Sequence, residues 1–337
     1  MISLLLEKRR KKAQKTVLGI EYDRYSLASV KLDKKGDSYT LVSCNSHVFA
    51  PEAYFEGELT NEYVGNVVAE IIKENKLGRF VKLGFTSYNE IDVTKEEITC
   101  DKRALEIIKK EGVFFYINEY FLKKRFPDTY TDMAYDYYDE SESNGTLIIY
   151  YISDIEKIKR LYSIASKARR ALSVCTLDKL AISSFVSELF IGEISQYSSD
   201  SVFLGLYSDK LSIYSFSPQG ELKSYESVKI FDDNISDVAY VDEVIQLLLR
   251  FMDFMSLDLG ENSFDSFDSF DEIQDNNVYV YGIKQNFESI FESIKDLSQK
   301  NCKILDPFIN IDYQKFGDIE QPYRYVLPIA IAMKEAL

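Results

Sequence analysis

Two stretches of this chain open in the same way, and that repeat limits the fold more than any other feature. Residues 17–23, 26–33 and 39–50 read as three short strands. The first is Val17-Leu18-Gly19-Ile20-Glu21-Tyr22-Asp23. It ends on acidic residues, and Ser26 follows a tight turn. Lys34-Lys35-Gly36-Asp37 makes the second turn. An amphipathic helix follows at 61–75, with Val64, Val67, Val68, Ile71 and Ile72 on one face and Thr60 as cap. A further strand is predicted at 80–86. The same layout returns at 202–207, 210–217 and 221–230, then a helix at 237–257 and a strand at 278–283. This is a weak internal duplication of an α/β unit.

Between the two copies lies a different pattern. A strand is expected at 91–98, a helix at 102–126 with Gly112 as its weak point, and two strands at 133–139 and 146–152. Asp154 is placed to cap a helix at 155–168, followed by a strand at 171–176 and a helix at 178–190. The Tyr135, Tyr137 and Tyr138 cluster reads as strand packing. A helix at 285–299, a strand at 302–305 and a helix at 322–336 close the chain. The boundaries that follow are a basic amphipathic tail at 1–15, a first domain at 16–90, an inserted subdomain at 91–153, and the first domain continued at 154–195. A second domain spans 196–316 with an acidic loop at 258–277, and the closing helix lies within 317–337, returning to the first domain.

With 337 residues and 46% apolar content the chain can bury a large core. Its formal net charge of −15 argues against nucleic acid as a partner. Cys44, Cys100, Cys175 and Cys302 are widely spaced, which argues against a zinc site and reads as reduced, partly buried thiols of a cytoplasmic protein. His47 is the single histidine and lies among strand residues. It reads as structural, so no metal ligand set and no catalytic residue is assigned. No apolar run is long enough to span a membrane.

Two segments depart from the rest. Ile2, Leu4, Leu5 and Leu6 precede Lys8, Arg9, Arg10, Lys11 and Lys12, with Lys15 beyond. As a helix this is a small apolar tip followed by a cationic turn, suited to weak binding at the inner face of a membrane. The other reading is a disordered, solubilising tail. Residues 263–271 are three tandem Ser-Phe-Asp triplets. They read either as a flexible acidic loop or as an exposed docking motif.

The order of elements, with four short motifs, resembles the PilM family of type IV pilus assembly proteins, relatives of FtsA and of the cytoplasmic domain of GspL. The motifs are the basic tail before Gly19-Ile20-Glu21, the stretch Pro51 to Leu59, Leu305-Asp306-Pro307-Phe308, and the small-residue run Pro328-Ile329-Ala330-Ile331-Ala332-Met333. The second departs from the family pattern, with Ala53 for a glycine and a gap one residue shorter. The resemblance implies an α/β, actin-like (ribonuclease H-like) two-domain fold with an inserted subdomain. It implies a cytoplasmic protein peripheral to the inner membrane, holding the tail of a PilN-like membrane protein and contacting pilus motor or platform proteins, with a homo-oligomer as an option. In the family that tail lies in a groove, which maps here to strands around 80–99 and the insertion.

The resemblance also locates a nucleotide site, and the residues there are altered. Two hairpins should surround phosphates with backbone N–H groups, and glycines let the backbone approach. Glu21 keeps a carboxylate, but Asp23 stands where a glycine belongs; Ser26 remains as a hydroxyl. In the second hairpin Gly205 and Tyr207 replace the family's Asp and Gly, followed by Ser208. The adenosine loop keeps Gly282 alone, in Gly282-Ile283-Lys284. The expectation is a degenerate site, no cofactor and no ATP hydrolysis. The alternatives are a working ATPase with a divergent, weak Mg-ATP site in which Lys284 neutralises phosphate, and a polymerising actin homologue.

Overall fold

The computed structural model describes residues 17–36, 38–87, 93–128, 134–140, 145–152, 155–230, 235–258 and 277–334. The amphipathic tail, the Ser-Phe-Asp triplets and the proposed Asp154 cap lie outside them. Two compact units form, one from Met1–Thr86 with Ser163–Leu337, the other from Ser87–Tyr162.

The larger unit is built on two main sheets. The first contains β1 (Val17–Tyr22), β2 (Ser26–Lys35), β3 (Ser38–Val48), β4 (Lys82–Ser87) and β5 (Leu172–Leu177). The second contains β6 (Ser201–Leu206), β7 (Lys210–Phe216), β8 (Leu222–Lys229), β9 (Asn277–Gly282) and β10 (Asn301–Ile304). Strand order in the first is β5-β4-β1-β2-β3, and in the second it is β10-β9-β6-β7-β8. Both are an antiparallel meander extended by a strand parallel to the meander's first strand. The duplication read in the sequence is therefore a duplication of topology. A short sixth strand, β11 (Ile311–Asp312), adds to β3 in the first sheet and had no sequence signal at two residues long.

Helices α1 (Asn61–Glu74), α2 (Ile155–Lys167), α3 (Asp178–Phe185), α4 (Asp237–Asp258), α5 (Phe287–Ser298) and α6 (Val326–Met333) complete this unit, α2 entering it at Ser163. Thr60 caps α1 by accepting from the Tyr63 amide at 3.3 Å. α3 continues through a π-helical turn at Val186–Phe190. The closing helix is shorter than expected, because Pro322–Tyr325 form a 3-10 turn before α6. Every residue of α6 is buried, as a helix apolar all round must be. It packs on β1 at Gly19, where a Cβ would lie 2.1 Å from the Pro328 carbonyl oxygen. Gly19 is thus explained by close packing against the small-residue helix. One continuous apolar core joins both sheets, from Val30 and Leu41 to Phe203, Tyr279 and Val326.

The smaller unit is a three-stranded antiparallel sheet in the order Val93–Thr99, Thr146–Ile152, Ala134–Glu140. Two helical runs cover it, Lys102–Glu111 and then Val113–Tyr116 continuing to Lys123–Arg125 through a π-helical turn. Gly112, at φ 93°, breaks them where the weak point was read. Ala104, Ile108, Ile117, Leu122, Leu147 and Ile149 form its core. Tyr137 is partly exposed here.

Candidate functional site: the seam between the two phosphate hairpins

The turn after β1 is closed by its own side chain. The Asp23 amide donates to the Ser26 carbonyl at 3.0 Å. Asp23 Oδ1 accepts from the amides of Tyr25 and Ser26 at 2.8 and 2.9 Å. Asp23 Oδ2 accepts from the amide of Ser208, in the other hairpin, at 3.3 Å. One carboxylate therefore gathers backbone donors from both hairpins, the role a phosphate plays in a nucleotide-binding nest. Burial pushes the Asp23 carboxyl up, and these N–H bonds work against that shift. The short hairpin Tyr54–Phe55/Glu58–Leu59 braces the turn. The Tyr54 hydroxyl donates to the Arg24 carbonyl at 2.7 Å, and Arg24 donates to the Gly57 carbonyl at 2.8 Å.

Behind Asp23 lies a buried charge cluster. Lys210, the first residue of β7, is ion-paired with Asp178, the first residue of α3, and both are buried. Glu21 is 3% exposed. Burial raises its carboxyl well above the usual range, Asp178 raises it further, and Lys210 opposes both. Burial pulls the Lys210 ammonium down, but Asp178, Asp209 and Glu21 together hold it above its ordinary value. The ammonium also lies 4.6 Å from the Tyr207 ring centre. One lysine thus supplies a fixed cation to three carboxylates, where a nucleotide site would recruit a divalent ion. Among the described residues no group of three or more His, Cys, Asp or Glu is arranged to hold a metal ion.

The remaining space between the hairpins is filled by rings and a guanidinium. Tyr207 and Tyr281 meet edge to face at 6.4 Å, and a Cβ at Gly205 would come within 2.9 Å of the Tyr207 ring. The Tyr240 hydroxyl donates to the Tyr207 carbonyl at 2.8 Å. Ser26 Oγ donates to the Ile283 carbonyl at 3.2 Å. The buried Arg324 donates to Ser26 Oγ, the Ile283 carbonyl and Ser46 Oγ at 3.3, 3.4 and 2.9 Å. Gly282 has φ 132°, and a Cβ there would lie 2.1 Å from the Leu206 carbonyl oxygen. That glycine is explained by β9 passing close to β6, without any ligand.

The structure brings together Asp23, Ser26 and Ser208, with Glu21, Gly205, Tyr207 and Gly282 around them. Lys284 joins them through its amide, which donates to the Leu206 carbonyl at 3.2 Å. Its ammonium lies over the Tyr240 ring at 4.7 Å. Asp178, Lys210 and Arg324 were missed. Only Lys210 carried a signal, as a charge opening a strand whose every residue is buried. A nucleotide fits poorly here, because its phosphates would have to displace Asp23 from the amides of Tyr25, Ser26 and Ser208.

Elsewhere, Leu305-Asp306-Pro307-Phe308 forms a turn in which Asp306 accepts from the Phe308 amide at 3.0 Å, seating the buried Phe308 ring beside Tyr313 and Tyr325. His47 packs between Phe49 and Tyr63. All four cysteines are thiols outside any disulfide, and Cys175 is exposed, contrary to its expected partial burial. Among the described residues no helix is long and apolar enough to cross a membrane.

No family model and no curated protein matches the sequence. Solved structures do match. A chain of a PilM-PilN type IV pilus biogenesis complex aligns with a TM-score of 0.58 at 14% identity, covering 95% of this chain and 98% of that one. The fold is actin-like. A protein with actin-like ATPase fold and unknown function from Bacteroides thetaiotaomicron aligns at 0.46 and 13% identity, covering 96% and 98%. The cytoplasmic domain of EpsL, an inner membrane component of the type II secretion system of Vibrio cholerae, aligns at 0.35 and 6% identity, covering 79% and 82%. The first alignment agrees with the resemblance carried by Gly19-Ile20-Glu21 and Leu305–Phe308.

Proposed function

We propose that this chain is a non-catalytic scaffold in the inner-membrane platform of a type IV pilus or a related secretion machine. On this reading it works on the cytoplasmic side, peripheral to the membrane, holds the tail of a PilN-like membrane protein and links it to the motor. The observation that carries the non-catalytic part is the Asp23 carboxylate, which accepts from amides of both hairpins at 2.8, 2.9 and 3.3 Å. Lys210 supports it by supplying an internal cation. The pilus part is supported by the likeness in fold to the PilM-PilN complex along nearly the whole chain.

A second reading, a divergent actin-like ATPase, is favoured by the carboxylates Glu21 and Asp178 near the carboxyl ends of β1 and β5. It requires Asp23 and Lys210 to swing away when nucleotide arrives. The scaffold reading is tested by capture with synthetic amino-terminal tails of single-span inner-membrane proteins encoded beside this one. Saturable binding of one such tail, unchanged by Mg·ATP, is expected. Binding of none of them would overturn the scaffold role. Phosphate release stimulated by a tail would establish the ATPase instead.

A further inference from the structure

A cavity of about 590 Å³ lies in the larger unit, away from the seam, and is lined by Arg79, Phe80, Lys82, Ser166, Arg169 and Arg170, with Val81 and Ala171 behind them. It sits where β4 and β5 begin, side by side, with the Leu83 amide donating to the Ala171 carbonyl at 2.9 Å. Four of the lining residues are cationic and none is acidic. In a chain of net charge −15 this is a local reversal of sign. The C-terminal end of α2 accounts for only part of it. A helix end carries about half a negative charge, well short of the three arginines Arg79, Arg169 and Arg170. Two of the cations are also held in place. Arg79 stacks on Phe80 at 4.7 Å, and Arg170 donates to the Arg169 carbonyl at 2.8 Å while its Nε has no acceptor. Arg79 and Arg169 are exposed.

The position of the cavity indicates the ligand. Lys82 is the register partner of Val17, the first residue of β1. The segment with Lys8, Arg9, Arg10, Lys11, Lys12 and Lys15 therefore joins the fold at this end of the sheet. We infer that the Arg79–Lys82–Arg169–Arg170 pocket binds the phosphate headgroups of an anionic lipid surface, so that the folded unit itself, and not only the segment before it, contacts the membrane. A free phosphorylated metabolite would share the phosphate chemistry but would not account for the adjoining cationic segment. The inference deepens the membrane-side placement proposed above and does not depend on a PilN-like partner, whose loss would leave vesicle binding intact.

The test is co-sedimentation of the full chain with vesicles containing phosphatidylglycerol and with neutral phosphatidylcholine vesicles. The variant is Arg79→Gln with Arg169→Asn; asparagine is chosen because Arg169 has φ 54° and asparagine tolerates that conformation. The control, Lys295→Gln with Lys315→Gln, removes the same charge from exposed positions elsewhere. Each cation near an anionic leaflet is worth roughly fivefold, so the pocket variant is expected to bind anionic vesicles about 25-fold more weakly. The control should change little, and neutral vesicles should pellet neither protein. Equal losses in variant and control, or no loss in the variant, would overturn the pocket. Saturable binding of inorganic phosphate to the wild type without vesicle binding would overturn the lipid as its source.

Discussion

The two ends of the first sheet are treated in opposite ways. Near the carboxyl ends of β1 and β5, Glu21, Asp23 and Asp178 are buried, and their charges are met from within by Lys210 and backbone amides. At the beginnings of β4 and β5, Arg79, Lys82, Arg169 and Arg170 face a cavity with no carboxylate in its lining. Open α/β sheets normally bind ligands outside the carboxyl ends of their strands. Here that end has become part of the core, while the other end lines a cavity with cationic side chains. The contrast separates a likeness of fold from a likeness of site.

The contrast is tested most severely by removing the internal cation. Lys210→Met leaves Glu21, Asp178 and Asp209 facing one another under burial, and about 3–5 kcal/mol of stability should be lost in urea unfolding. Adding Asp178→Asn should recover part of that loss. If Lys210→Met is nearly neutral, the cluster is not the closure inferred from it. Arg324→Ala removes hydrogen bonds to Ser26, Ser46 and Ile283, and should cost about 2 kcal/mol by the same measurement.

Glu21→Gln should act in the other direction, raising stability at neutral pH, because burial has raised the native carboxyl well above its ordinary value. A carboxyl with a raised native pKa binds more protons folded than unfolded. Its contribution is therefore lost as pH rises from the unfolded value through the raised one. Melting temperature in the wild type should fall across that window, and Glu21→Gln should flatten the slope. An ATPase dependent on this carboxylate would instead lose activity without gaining stability. The smallest effect belongs to the other end of the sheet, where Arg79→Gln should leave the melting temperature unchanged, since Arg79 is exposed and touches only Phe80 among the contacts described.

Much of the fold was legible because its signals are local. Alternating and apolar runs set the two meanders, Thr60 marked the start of α1, and Gly112 marked a break. Asp23, Tyr207 and the single glycine at 282 were legible as departures from the family's hairpins. What could not be read was which partners these residues take. Asp23 meets Ser208 across 185 positions, and Arg324 meets Ser26 across 298. No periodicity links residues so far apart, and a buried Arg or Lys looks in sequence like a solvated one. For the same reason Asp23 read as a charge that repels a ligand, whereas its carboxylate accepts from the amides of Tyr25, Ser26 and Ser208.

The most direct measurement is calorimetric titration of the full chain with Mg·ATP. With Asp23 holding the amides of Tyr25, Ser26 and Ser208, no saturable heat is expected below about millimolar nucleotide, a free energy weaker than about 4 kcal/mol. Binding in the micromolar range would contradict the closed seam.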